Sequence, residues 1–277
     1  RGTMRGTVAE ELGISRVPFA AVGSHDTASA VAAIPGEGNF AFCSSGTWSV
    51  FGVESERPVK TSAACDAKFS NEGTVQGTFR LSKNIMGLWL VQECKRDWQK
   101  QGKLYSYDEI DAQAKASKGL VSIIDTDDAS FYATGNMQKK IQQYCERTKQ
   151  PVPETVGEIA RCIYDSLALK YRFALETLEA YHGGRIDQLN IVGGGTKNKL
   201  MNQLAADATG RTVVAGPVES ACVGNLLMQA VALGELKNVE EARAVVRASF
   251  TTERYESHRT QAWEDAYAKL LGFMGKM

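Results

Sequence analysis

Residues 188–215 read QLNIVGGGTKNKLMNQLAADATGRTVVA, and the order of patterns in this stretch sets the architecture. Gln188 to Val192 has the short apolar pattern of a strand, and Gly193-Gly194-Gly195 breaks it. A helix is predicted from about Asn198 to Ala208, with Gly210 in the place just past its end. Arg211 to Ala215 is the next strand, and Gly216-Pro217 turns it into a helix carrying Ala221, Gly224, Leu227 and Ala230. Strand, glycines, helix, strand and helix in series make a parallel α/β unit. The triplet is not the dinucleotide fingerprint, which would need a glycine at Asn198, nor a P-loop, because no Gly-Lys-Ser/Thr follows. It is a turn without side chains, and two readings stand: a surface on which a flat base or ribose can lie, or a tight turn needed only for packing.

Towards the N-terminus lies a second informative stretch, Val22-Gly23-Ser24-His25-Asp26-Thr27-Ala28-Ser29-Ala30. The apolar run of Val17, Phe19, Ala20, Ala21 and Val22 predicts a strand that delivers Asp26 to the mouth of a helix reaching Ala33 and stopped by Pro35-Gly36. Ligands of open α/β sheets bind at strand carboxyl ends, so a carboxylate there can accept a proton from a bound hydroxyl. It can equally be a helix N-cap. Asn39 to Glu54 reads as two strands joined by Ser44-Ser45-Gly46-Thr47. Hydroxyls around a glycine allow close approach of an anion, although such dipeptides also occur in plain turns.

Residues 55 to 75 read as a loop or short strands, and Phe79-Arg80-Leu81 as a strand. Lys83-Asn84 then precede an apolar helix from Ile85 to Trp98, whose Met86, Trp89, Leu90 and Cys94 form a core face. Asn84 at its mouth and Gln92 two turns on are polar residues attached to that buried element. Gln99 to Val152 shows no long periodicity. Its Asp125, Asp127 and Asp128 read as a solvated loop, since a calcium loop would need glycine and glutamate where Ser130 and Asn136 stand. Thr155 and Glu158 have capping-box spacing and open a long helix that ends at Gly183-Gly184.

The chain has 277 residues, enough to bury a full core. Lys plus Arg and Asp plus Glu each total 32, a zero net charge that offers nothing to nucleic acid or an acidic membrane. No apolar run reaches membrane-span length. Six cysteines without a C-x-x-C pair, and only His25, His182 and His258, argue against zinc and for cytosolic thiols; Cys145 and Cys162 flank one proline-containing loop and could bridge. The expected compartment is the cytoplasm.

Taken in order, the segments SHDTASAV, SSGTWSVFGVE, RLSKNIMGLWLVQECKRDW, NIVGGG and GPVESACVGN resemble the C-terminal domain of the FGGY carbohydrate kinases over most of residues 17 to 236. The resemblance implies an α/β fold, an actin-like ATPase (ribonuclease H-like) lobe with a mixed sheet flanked by helices. It implies ATP and Mg²⁺ as cofactors, a small sugar as substrate, and phosphorylation of a ketose hydroxyl. L-rhamnulose is the expected sugar, with L-fuculose or xylulose as alternatives and a non-catalytic actin-like nucleotide-binding module as a further one. Position by position, Asp26 would be the general base, with His25, Thr27 and Asn84 on the sugar; Thr47 would touch phosphate, Gln92 the nucleotide and Gly194 the adenosine end. These kinases have two lobes and nothing here resembles the first. Residues 1–16 are therefore expected to be a connector from a missing N-terminal lobe, and residues 17–277 the C-terminal nucleotide-binding lobe.

Overall fold

Phe40–Ser45 is buried on both faces, with Ala41 and Cys43 pointing to one side and Phe42 to the other. Such a strand belongs in the middle of a sheet covered twice. The computed structural model describes residues 1–276. In chain order they form β1 (Gly2–Thr3), α1 (Gly6–Leu12), β2 (Pro18–Phe19), α2 (Asp26–Ala32), β3 (Phe40–Ser45) and β4 (Trp48–Ser55). There follow α3 (Ser62–Asp66), β5 (Ser70–Gly73), β6 (Phe79–Met86), α4 (Trp89–Lys100), α5 (Tyr107–Ala116), α6 (Met137–Arg147) and α7 (Val156–His182). The last part is β7 (Gln188–Val192), α8 (Lys199–Thr209), β8 (Thr212–Ala215), α9 (Ser220–Leu233), α10 (Val239–Ser249), β9 (Glu253–Tyr255) and α11 (Gln261–Phe273).

Seven strands make one mixed sheet in the order β5-β6-β4-β3-β7-β8-β9. The pairs β3/β7 and β7/β8 are parallel, as the strand-glycine-helix order predicts; the hairpin β3/β4 and the outer pairs are antiparallel. The larger core joins one face of the sheet to α4 to α8 and α11, around Phe51, Leu81, Trp98, Tyr171 and Leu189. Two smaller clusters lie under α2, α9 and α10 on the other face, around Val31, Ile34, Phe42 and Val192 and around Leu227 and Val246. Burying each such side chain contributes about 1.5–3 kcal/mol.

Local signals hold where they are strongest. The Thr155–Glu158 capping box forms in both directions at the start of α7, and Gly183 and Gly210 end α7 and α8 in the left-handed conformation.

Several expectations are corrected. The apolar run before Asp26 is not a strand of the sheet: only Pro18–Phe19 pairs, with Gly2–Thr3, and Val17 and Phe19 are exposed. β3 already has neighbours on both sides, so the sheet offers that run no interior place. Asp26 accordingly stands at the start of α2 after an irregular turn, with Ser24 at φ 54°. Asn84 lies in β6, not at a helix mouth, because the strand continues through Met86 and the helix waits until Trp89. Gly87 makes that change of direction possible, since a Cβ there would stand 2.7 Å from Ser49 Oγ.

The stretch from Gln99 to Val152 contains α5 and α6, and α5 opens with a complete Ser106–Glu109 capping box. The aspartates 125 to 128 are no solvated loop. Lys170, 3% exposed in its side chain, bridges Asp125 at 2.6 Å and Asp127 at 3.0 Å, while Asp127 also accepts the Met86 N–H. Cys145 and Cys162 are free thiols. Among the described residues no helix is long and apolar enough to cross a membrane.

Candidate active site

The turn after β3 and the glycine triplet after β7 follow the carboxyl ends of adjacent parallel strands, and they touch. A Cβ on Gly195 would stand 2.0 Å from Ser45 Oγ, and one on Gly193 would stand 2.9 Å from the Ser45 carbonyl oxygen. Side chains are excluded there because the two turns pack backbone to backbone. Gly194, between them, has nothing within 4 Å of its Cβ position and opens to a cleft of about 620 Å³.

Thr47, Gln92 and Gly194, expected from three separate segments to serve the nucleotide, all line this cleft. Thr47 Oγ1 donates to Gln92 Oε1 at 3.2 Å. The turn is also fastened to α4 through its backbone, with Leu88 N–H on the Gly46 carbonyl and Trp89 N–H on the Thr47 carbonyl. Gln92 is half-buried, so its place in the wall is built and not incidental.

The remaining wall comes from residues that the sequence reading did not assign. Asp111 of α5 accepts from Tyr164 OH at 2.5 Å and from Asn198 Nδ2 at 3.0 Å, and Asn198 caps α8 by accepting the Met201 N–H. Burial raises the Asp111 carboxyl above the usual range, opposed by the Tyr164 hydrogen bond, and burial raises the Tyr164 phenol as well. Leu88 adds an apolar contact, backed by the buried Val91. The S-x-x-E spacing at Ser106 was the available signal for α5, and so for Asp111.

At the other candidate position, His25 is the N-cap of α2: its Nδ1 accepts the Thr27 N–H at 3.1 Å. Capping therefore does not rest on Asp26 alone, although Asp26 Oδ1 accepts the same N–H at 2.7 Å. The Asp26 side chain is 85% exposed and that of His25 51%, whereas Thr27 is only 7% exposed. Arg80 of β6 approaches His25 from below, and Asn84, exposed on the same strand, projects from the same face of the sheet as Arg80. Four residues of strand separate them by about 13 Å. The structure thus groups His25, Asp26 and Thr27, groups Thr47, Gln92 and Gly194, and puts Asn84 on the α2 side of the sheet.

Residues 41–233 match the C-terminal domain of the FGGY family of carbohydrate kinases. The chain belongs to that family. It is 43% identical over 271 residues to a rhamnulokinase of Bacteroides thetaiotaomicron, spanning 96% of this chain and 55% of that protein. It is 46% identical over 240 residues to a rhamnulokinase of Enterococcus faecalis, spanning 86% and 48%. The fold of this FGGY chain is shared by xylulose kinase from Rhodospirillum rubrum, with a TM-score of 0.66 at 18% identity over 99% of this chain and 54% of that one. The chain spans about half the length of the curated relatives it matches. The architecture expected of an actin-like lobe, a mixed sheet flanked by helices, is the one observed.

Proposed function

We propose that this chain is the C-terminal, nucleotide-binding lobe of an ATP-dependent sugar kinase that converts L-rhamnulose to L-rhamnulose 1-phosphate. The observation that carries the proposal is the convergence of Thr47, Gln92 and Gly194 on one cleft, from three stretches far apart in sequence. Identity to two rhamnulokinases over most of the chain supports the choice of sugar. Residues 1–16 would lead in from an N-terminal lobe, and residues 17–277 would form this lobe; that the relatives are about twice as long supports the existence of a second lobe. The free thiols suit a reducing cytoplasm.

ATP fits the cleft by its chemistry. Gly194 leaves room for the adenosine, the half-buried Leu88 offers an apolar contact to a base, and Thr47 would meet the phosphates. Mg²⁺ would arrive on the phosphates of ATP, since it favours one or two carboxylates plus phosphate oxygens over an all-protein cage.

The chemistry of this chain is proton removal and positioning. Asp26 Oδ1 is held by the Thr27 N–H, which leaves Oδ2 to receive the proton of the sugar hydroxyl as its oxygen attacks the γ-phosphorus and ADP departs. His25 orients the sugar beside it, and Asn84 and Thr27 complete that end. Thr27 would act chiefly through its backbone, because its side chain is buried. Phosphoryl transfer depends on alignment and charge neutralisation across a closed cleft, so the lobe alone should not turn over.

The test is Asp26→Asn in a protein carrying both lobes. Transfer to L-rhamnulose should fall by about 10²–10⁴-fold while ATP affinity stays within about twofold. Survival of transfer would remove Asp26 as the base. A native protein that phosphorylates xylulose or L-fuculose and ignores L-rhamnulose would replace the substrate, and one that binds nucleotide without any transfer would favour a non-catalytic module.

A further inference from the structure

Arg80 occupies an inner strand of the sheet and is 1% exposed. Its cross-strand neighbours are Glu54 on β4 and Glu72 on β5. The guanidinium pairs with Glu72, and the same Nη2 lies 3.5 Å from His25 Nδ1; Nε and Nη1 are buried without a hydrogen-bond partner. A buried guanidinium with spare N–H groups is costly, and an aliphatic residue would fill a strand position of this kind without that cost. Charge placed there calls for a task, and the group it reaches is His25.

Three polar atoms surround His25 Nδ1. Two are donors, the Thr27 N–H at 3.1 Å and Arg80 Nη2; the third, Asp26 Oδ1 at 3.1 Å, is an acceptor. If Nδ1 carried the ring proton it would bond to Asp26 Oδ1 and point a hydrogen at the hydrogens of two other donors. With the lone pair on Nδ1 both donors point at an acceptor, the Thr27 N–H is shared between ring and carboxylate, the Arg80 guanidinium offsets the repulsion between that lone pair and Asp26 Oδ1, and the ring proton sits on Nε2.

We propose that Arg80 is a positioning residue that fixes His25 as the Nε2–H tautomer, so that the ring presents a donor to an acceptor oxygen of the sugar held beside Asp26. The role in turnover rests on the sugar-kinase reading; the tautomer does not. Arg80 is tied at once to an exposed acid on the neighbouring strand and to the ring, so its guanidinium cannot turn away from either without losing one contact.

The experiment is ¹⁵N NMR of the imidazoles in the 277-residue chain, with His182→Gln and His258→Gln assigning the three histidines. Native His25 should show one tautomer, protonated at Nε2, and Arg80→Met should convert it to a mixture. Arg80→Lys guards against misfolding of that variant. Its ammonium is a single point donor that will stay with Glu72, so it too should release the ring. A native His25 protonated at Nδ1, or a tautomer unchanged in a folded Arg80 variant, overturns the proposal. In the two-lobe protein, Arg80→Met should lower kcat by about tenfold or more and leave the KM for ATP within about twofold. Absence of any sugar phosphorylation in the native two-lobe protein would refute the kinase reading while the spectral result stands by itself.

Discussion

Gly195 packs so closely on Ser45 that the first carbon of any side chain would fall 2.0 Å from Ser45 Oγ, whereas the neighbouring Gly194 faces open space. Gly195→Ala should therefore destabilise the protein by about 1–3 kcal/mol, because Ser45 is itself buried in the turn and has little room to yield. Gly194→Ala should leave the melting temperature unchanged and weaken ATP binding by placing a methyl in the cleft. Thermal unfolding and nucleotide titration of the two variants separate the effects, and a melting-temperature loss confined to Gly194→Ala would contradict both.

Gly224 brings α9 against α2, and a Cβ there would stand 1.8 Å from the Ser29 carbonyl oxygen. That oxygen is main chain, so relief requires α2 to move. Gly224→Ala should destabilise by about 1–3 kcal/mol or more and displace His25 and Asp26 with the helix. Denaturant unfolding measures the first effect; transfer rate in the two-lobe protein measures the second.

Lys170 holds two acids together beneath the sheet. Lys170→Met should cost about 3–5 kcal/mol, since Asp125 and Asp127 would remain half-buried without their cation. Recovery in the triple variant with Asp125→Asn and Asp127→Asn would identify the stranded charge as the cause. A Lys170→Met loss below about 1 kcal/mol in urea titration would show the cluster to be solvated after all.

Arg259 first and Arg172 second hold the Glu264 carboxyl down to about 2, and the Arg172 contact of 2.8 Å ties α11 to α7. A depressed carboxyl contributes stability above its unfolded value near 4.5 and loses it as the pH falls towards 2. Glu264 is 38% exposed, so the contribution is small, under about 1 kcal/mol. Melting curves of the native protein and Glu264→Gln should differ at pH 7 and converge between pH 4.5 and 2.

What could be read from the chain was local or periodic. The Thr155–Glu158 box and the glycines at 183 and 210 are decided by backbone groups within a few residues of them, and the β7 to α9 series by its hydrophobic period. The segment before Asp26 failed because apolar character does not guarantee a place in a sheet whose central strand already has two neighbours. The Ile85 boundary failed because Lys83 and Arg80, both charged, are buried strand residues with partners that only the folded chain supplies. Asp111 and Arg80 escaped notice for the same reason: their partners Tyr164, Asn198 and His25 lie at distances along the chain that no spacing rule spans.

The cleft draws its walls from the Gly46-Thr47 turn, α4, α5 and the Gly194 to Asn198 segment, none of which encloses anything by itself. A nucleotide bound there would recognise only the finished lobe and so would favour the folded chain over the unfolded one. At a hundredfold excess over its dissociation constant it would add about 2.7 kcal/mol to the native side of the balance. Without nucleotide that increment would be lost, and the chain should be cut by protease correspondingly faster.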